Sequence, residues 1–305
     1  MLSRFGRVGG LLRHARALST TPNLTKIVAT IGPASEENPT LPACVAAGLD
    51  VLRCNFSHAT PDEFHLRRKN LRAAPGGQLK AFMLDTKGPE IRMGGLRVCK
   101  ETGNRKAKIT LTAGDGIVLT NDAKFDGASD ESTLYVGYEL LAQKLAPGTT
   151  VLLDDGLISL EVTAVNADGT VACTILNTSE IGERKGVNLP GVVTELPPLS
   201  EKDKSDIAFG VEHDIDMVAA SFVRSADGVA AIRDYLAQCH LDSLGAEEAS
   251  KTPLPLIISK VETTEALDNL DEIIAASDGI MVARGDLGVE VPMAAQFGAI
   301  LCAIL

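Results

Sequence analysis

Leu256-Ile-Ile-Ser-Lys-Val-Glu262 and Ile280-Met-Val-Ala-Arg-Gly-Asp286 are runs of branched apolar residues that end in charge. A run of that kind reads as a strand buried on both faces, as in a parallel sheet. Residues two apart on a strand point the same way, so Lys260 and Glu262 share one side of the first strand's end. The second strand ends in Asp286. One ammonium and two carboxylates at neighbouring strand ends suit a divalent cation and an anionic substrate.

Outward from these two runs, the chain alternates strand and helix. Earlier strands are expected over 25–32, 50–57 and 80–86, with helices over 41–47 and 61–73. On the second of these, Arg53, Asn55 and Ser57 fall on one side, a polar strand face that calls for a ligand. Between 88 and 193 the texture changes to short alternating runs at 108–112, 116–120, 150–153, 157–162 and 171–175, separated by Gly, Asp and Asn turns. That is an inserted all-β barrel or sandwich. Alternation then resumes. Ser200 is a candidate N-cap with Asp203 three residues on. A strand follows over 216–223, a helix over 226–239, a loop over 241–255 and a helix over 263–276. The tail 293–305 reads as the start of another helix.

Six parallel strands with polar C-terminal ends fit an incomplete (β/α)8 TIM barrel, six of eight strands, with an inserted β-barrel domain. The expected division is an extension over 1–23, barrel over 24–87, β-domain over 88–193 and barrel again over 194–305. A doubly wound sheet is the weaker alternative, because no Gly-rich phosphate loop follows a strand.

The 305 residues are 45% hydrophobic and 23% charged, ordinary for a soluble α/β protein. With no Trp, 4% aromatics and a net charge of −11, nucleic acid is excluded as the main partner. No apolar stretch has the length of a transmembrane helix. Cysteines at 44, 54, 99, 173, 239 and 302 show no metal spacing and read as reduced core residues. Residues 1–23 carry Arg4, Arg7, Arg13 and Arg16 and no acid, the pattern of a mitochondrial transit peptide. Cytoplasmic localisation is the alternative.

Lys260, Glu262 and Asp286 form the sharpest set. Two carboxylates are a common protein contribution to Mg²⁺ (or Mn²⁺), and a lysine beside them neutralises a transferring phosphoryl group. Arg53 and Arg92 match phosphate or carboxylate in bidentate fashion. Asn55, Ser57, Asp85 and Thr86 offer mainly oxygens with one formal charge, which suits a monovalent cation. His58 follows directly and is a candidate ligand contact, with a structural role as the alternative.

These residues lie in segments that resemble pyruvate kinase: TKIVATIGPAS (25–35), NFSH (55–58), LDTKGPEIR (84–92), DDGLISL (154–160), GVNLPG (186–191), LSEKDKSDI (199–207), ISKVE (258–262) and SDGIMVARGDLGVEVP (277–292). They follow the family's order over nearly the whole chain. The resemblance implies a barrel domain with a β-domain lid over the nucleotide. The reaction it implies is phosphoryl transfer from phosphoenolpyruvate to ADP, giving pyruvate and ATP in glycolysis. It makes Glu262 and Asp286 the Mg²⁺ ligands and Lys260 the stabiliser of the phosphoryl in flight. It makes Asn55, Ser57, Asp85 and Thr86 a K⁺ site. Arg53 and Arg92 fall on the phosphate side, and His58, Arg92, Lys185 and Asn55 contact the nucleotide. Backbone N–H groups around Gly285 and Asp286 face the substrate carboxylate. Complete family members are expected to be homo-oligomers, as tetramers, without nucleic acid or membrane partners.

The tail 293–305 departs from the family pattern, and the segments expected after it are missing. Little turnover is therefore expected of these 305 residues alone. Two other readings follow. One is a catalytically incompetent pyruvate-kinase-like fragment that binds Mg²⁺, nucleotide or a full-length subunit. The other, weaker one is a barrel lyase or aldolase acting on pyruvate or phosphoenolpyruvate, which has no need of the β-domain or the oxygen cluster.

Overall fold

A computed structural model of the chain describes residues 24–291 and Gly298. The extension over 1–23, Cys302 and, Gly298 apart, the helix expected over 293–305 lie outside the described residues. By its internal contacts the chain forms two units. One holds the residues up to Cys54 together with Pro61–Phe82, and the other holds Asn55–Thr60 and Met83 onward.

The first unit contains β1 (Ile27–Thr30), α1 (Thr40–Ala46), most of β2 (Leu49–Asn55), α2 (Pro61–Ala73) and the start of β3 (Ala81–Asp85). β1 and β2 pair in parallel. Phe64, Arg67 and Leu71 recur at helical spacing and form the buried stripe of α2. Phe64 meets Phe82 edge-on, with ring centroids 4.8 Å apart. Arg67 is a buried cation in that stripe. Its Nε donates to Glu36 Oε2 at 2.8 Å and its Nη1 to Cys54 Sγ at 3.4 Å, so the charge is not left unpaired. Burial holds the Cys54 thiol above its usual range, and it is a reduced core residue as expected.

In the second unit the chain leaves β3 for a β-rich segment. Its strands are β4 (Ile109–Leu111), β5 (Gly116–Thr120), β6 (Thr133–Tyr135), β7 (Thr150–Leu153), β8 (Ile158–Val165), β9 (Val171–Ile175), β10 (Ser179–Ile181) and β11 (Val187–Asn188). They form a six-stranded sheet in the order β11-β7-β8-β9-β5-β6 and a two-stranded sheet of β10 and β4. Two short helices, α3 (Arg97–Thr102) and α4 (Leu141–Lys144), accompany them. The alternate residues Ile158, Leu160 and Val162 of β8 are buried with Leu119, Leu134 and Val151 in one apolar core. That is the period-two pattern of strands with one face inward.

After the β-segment come α5 (Glu201–Glu212), β12 (Met217–Ala220), α6 (Ala226–Ala249), β13 (Leu256–Val261), α7 (Thr264–Asp268), α8 (Leu270–Ala276), β14 (Gly279–Val282) and α9 (Arg284–Glu290). β12 pairs in parallel with β3 and β13, and β13 pairs in parallel with β14. Parallel strands alternating with helices are the repeating unit of a (β/α)8 barrel, and the described residues hold six such strands. Among the described residues, no helix is long and apolar enough to cross a membrane.

Three local expectations are corrected. The strand expected to run to Asp286 ends at Val282, and Asp286 lies in the first turn of α9. The helix after β12 runs to Ala249, through most of the expected loop; Gly245, at φ 75° and ψ 160°, marks a kink inside it. The helix expected over 263–276 breaks at Asn269, whose side chain donates to the Arg224 carbonyl at 2.8 Å.

The capping box at the start of α5 forms as the sequence suggests. Ser200 Oγ accepts from the Asp203 N–H at 3.1 Å, and Asp203 Oδ2 accepts from the Ser200 N–H at 2.9 Å. Asp203 does more than cap. It is fully buried, and its Oδ1 accepts from the Gly88 N–H at 2.9 Å, 115 residues back along the chain. Asp203→Ala would strand the buried Gly88 N–H and the part-buried Ser200 N–H and remove half of the capping box, leaving only the Ser200 Oγ bond. We expect a loss of about 2–4 kcal/mol in urea unfolding, against about 1 kcal/mol for a cap alone.

Candidate active site

The C-terminal ends of β3, β12 and β13 bring four polar side chains together inside an apolar surround. Asp85 is the last residue of β3, Ser221 follows β12, Lys260 is near the end of β13 and Glu262 just after it. All four are buried, with Lys260 the least so at 8% exposed. Lys260 Nζ lies 2.8 Å from Ser221 Oγ, 2.8 Å from Glu262 Oε1 and 3.3 Å from Asp85 Oδ1. Lys260 and Glu262 share one side of the chain, as their i, i+2 spacing predicts.

Two opposed influences set the charge of Lys260. Burial lowers its pKa, and the carboxylates of Glu262 and Asp85 more than offset that, so the group stays an ammonium with its pKa above the usual value. Glu262 is dominated by burial, which pushes it up to about 7 against the opposing charge of Lys260, and Asp286 pushes in the same direction as burial. Asp286 is thus close enough for its charge to be felt at Glu262.

The two oxygens of Glu262 are used differently. Oε2 accepts from the Phe222 N–H at 2.6 Å. Oε1 has the Lys260 charge beside it, but the contact is not aligned as a hydrogen bond, and Oε1 accepts none. A buried carboxylate oxygen that is held by an ion pair but by no aligned hydrogen bond keeps lone pairs for a cation, a disposition a metal ligand needs. Among the described residues, no group of three or more His, Cys, Asp and Glu side chains is placed to hold a metal. Glu262 and Asp286 are two carboxylates, the number that fits Mg²⁺ when phosphate and water complete its shell.

The loop after β3 is shaped to fit this cluster. Gly88 sits at φ 78°, and a Cβ there would meet Ser221 Cβ and the Phe222 ring at 2.7 Å, so only glycine fits. Phe222 itself has φ 55°, a conformation that costs a bulky residue energy and here aims its N–H at Glu262.

A model of the pyruvate kinase barrel domain matches residues 23–301. The chain belongs to the pyruvate kinase family. It is 44% identical over 273 residues to a probable cytosolic pyruvate kinase of Arabidopsis thaliana, covering 88% of this chain and 51% of that protein. It is 42% identical over 290 residues to the pyruvate kinase of Dictyostelium discoideum, covering 93% and 53%. The crystal structure of a pyruvate kinase from Cryptosporidium parvum superposes with a TM-score of 0.81 at 36% identity, covering 92% of this chain and 54% of that one. The chain spans about half the length of the curated relatives it matches. This membership makes the six parallel strands those of the family's barrel and the β-rich segment its insertion.

The other residues matched to pyruvate kinase motifs are placed as follows. Thr86 is buried beside Ser221: its Oγ1 accepts from the Ser221 N–H at 3.1 Å and its carbonyl from Ser221 Oγ at 2.6 Å. Asn55 ends β2, but Ser57 lies in the turn beyond, not on the strand face with Asn55. Asn55 Oδ1 accepts from the Ser57 N–H at 3.0 Å, a local turn-forming bond. That turn is joined to β3 by the Phe56 N–H, which donates to the Asp85 carbonyl at 2.9 Å. Arg53 lies in the other unit and bonds Thr30 Oγ1. His58 is exposed. Arg92 and Lys185 come together in the β-segment, on facing stretches joined by the Met93 N–H to the Lys185 carbonyl at 2.8 Å. Arg92 also pairs with Glu90 at 2.5 Å, and Lys185 with Asp154 at 3.0 Å. Gly285 is exposed in the first turn of α9, and a Cβ there would meet nothing within 4 Å.

Ser221 is the member of the cluster that the sequence reading passed over. In Ala-Ala-Ser-Phe it looks like one more small residue at the end of an apolar strand. What marks it lies in the fold: it follows a strand paired with both β3 and β13, one residue past Ala220, which is level with Ser259.

Proposed function

We propose that the chain carries out, or forms the catalytic part of a protein that carries out, phosphoryl transfer from phosphoenolpyruvate to ADP. The observation that carries this reading is the buried Lys260 ammonium held between two carboxylates at strand ends, in a chain of the pyruvate kinase family. Glu262 and Asp286 would hold a divalent ion, Mg²⁺ or Mn²⁺, which would supply positive charge for the phosphate oxygens. Lys260, whose Nζ lies 2.8 Å from Glu262 Oε1, supplies a second positive charge. In the transfer the enol-ester P–O bond breaks and a P–O bond to the ADP β-phosphate forms. The enolate left behind takes a proton at its methylene carbon to become pyruvate.

The transition state spreads charge over the phosphoryl oxygens, so the value of Lys260 lies in being already desolvated and fixed. A monovalent cation, K⁺, would be held by Asp85, the Thr86 carbonyl, Asn55 and Ser57. Arg53, Arg92, Lys185 and His58 are assigned to the phosphates and nucleotide, and the backbone at Gly285 and Asp286 to the substrate carboxylate. Homo-oligomeric assembly is proposed on the same family grounds.

The test is metal-dependent binding of phosphoenolpyruvate, read by the enhancement of water-proton relaxation by Mn²⁺, together with ATP formation in a coupled assay with ADP and K⁺. Binding that requires Mn²⁺ and is lost in Glu262→Gln supports the reading. Phosphoenolpyruvate binding that ignores the metal, with no ATP formed, would sink it.

A further inference from the structure

Ser221 touches the proposed monovalent site at Asp85 and Thr86 directly, and reaches Glu262 through Lys260 and through the neighbouring Phe222 N–H. Its hydroxyl has one proton to give. The Thr86 carbonyl at 2.6 Å is the better acceptor, and Asp85 Oδ1 at 3.3 Å the poorer. Its lone pairs then face Lys260 Nζ, which donates to it at 2.8 Å. The result is a relay of one direction: Lys260 N–H to Ser221 oxygen, Ser221 O–H to Thr86 carbonyl. The Ser221 backbone N–H adds a second tie to Thr86, through Oγ1 at 3.1 Å. The residue after Ser221 holds Glu262 by its N–H at 2.6 Å. The hydroxyl is 4% exposed as a residue, and Gly88 packs against its Cβ, so it has little room to turn away.

We propose that Ser221 is a positioning residue that couples the monovalent cation site at Asp85 and Thr86 to the divalent site at Glu262. This rests on the metal reading given above. The physical argument concerns shared lone pairs and shared charge. Lys260 is claimed by Asp85 on one side and Glu262 on the other. A monovalent cation drawing on Asp85 and on the Thr86 carbonyl weakens their hold on Lys260 and on the Ser221 proton. Ser221 then becomes a freer acceptor and keeps Lys260 in place as Asp85 releases it. Without the hydroxyl, Lys260 has the two carboxylates alone, and its position no longer depends on the Thr86 carbonyl.

Such coupling is a free energy between sites, and it is reciprocal. The experiment reads binding, not turnover. The affinity of the 305-residue chain for Mn²⁺ is measured by electron paramagnetic resonance in K⁺ and in tetramethylammonium at equal ionic strength. The wild-type chain is expected to show a change in Mn²⁺ affinity of about fivefold or more between the two salts. In Ser221→Ala the change is expected to fall below about twofold, while affinity in tetramethylammonium stays within about threefold of wild type. Ser221→Cys keeps the side-chain volume with a weakly accepting sulfur, and is expected to give an intermediate change. It serves as the second variant if the alanine form does not fold.

A full-sized K⁺ effect retained in either folded variant would overturn the assignment of Ser221, even if the variant melts earlier. A wild-type chain that binds Mn²⁺ with no K⁺ effect would overturn the coupling itself. A wild-type chain that binds no Mn²⁺ would remove the metal reading and this inference with it.

Discussion

Lys260→Met, measured in a chain extended to the length of its relatives, is expected to lower the turnover of ATP formation by about 10³-fold, with KM for phosphoenolpyruvate changed less than about threefold. The split follows from where Lys260 sits. In the resting site its ammonium already has Ser221, Glu262 and Asp85 as partners, so an arriving phosphate gains little that the protein does not already supply. In the transition state the phosphoryl oxygens gain charge beside a desolvated cation, and that gain is what raises the rate. Methionine keeps the length and apolar stem but leaves Asp85 and Glu262 without their cation. Removing one partner of a buried ion pair costs about 3–5 kcal/mol. Here it should cost less, because Glu262 already lies near the point of taking up a proton. Thermal melting of the variant beside the kinetic run separates the two effects. A proportionate rise in KM with turnover unchanged would take Lys260 out of the transition state.

Glu262→Gln is expected to weaken Mn²⁺ binding by about 100-fold or more at neutral pH, since loss of a direct ligand should exceed the tenfold to 100-fold seen for outer-shell partners. The substitution is close to isosteric. The amide oxygen can still accept from the Phe222 N–H, so the strained Phe222 turn should survive. What changes is the oxygen that accepts no hydrogen bond. An NH₂ group there has no lone pair for a cation and faces the Lys260 ammonium donor to donor. A stability loss of about 1–3 kcal/mol should accompany it. Mn²⁺ affinity within about threefold of wild type would show that the metal does not sit on Glu262.

Much of this cluster was legible because period two is a strict rule on a strand. Lys260 and Glu262 were placed on one side from their spacing alone, and they are 2.8 Å apart. Asp85 was found as the polar end of an apolar strand, and the Ser200–Asp203 box from residue type and spacing. The misreadings occur where an apolar run continues past its strand. After Val282 the chain turns into α9 at Ala283, whose side chain makes no capping bond, so nothing in the sequence marks the change from strand to helix. Ser57 was lost in the same way, one turn beyond β2. In α6, Asp242, Ser243 and Gly245 carry the composition of a loop, because turn-forming residues do not reveal a helix that kinks and continues. Ser221 shows the remaining gap. Its role depends on which strands are neighbours, and β12 stands between β3 and β13 only once the chain is folded.

The bond from Gly88 to Asp203 has a consequence for how a long excursion can interrupt a fold. It ties the point where the chain leaves the barrel strands to the point where a barrel helix begins, across 115 residues. Closing a flexible loop costs entropy only logarithmically in its length, about 0.6 kcal/mol for each doubling. A single buried carboxylate that accepts from the Gly88 N–H and from the N–H and hydroxyl of Ser200 is of a size to offset several such doublings. The length of the excursion is therefore nearly free to vary, provided the two ends are stitched. Insertions in this segment should be tolerated in proportion to how little they disturb that stitch, not to how short they are.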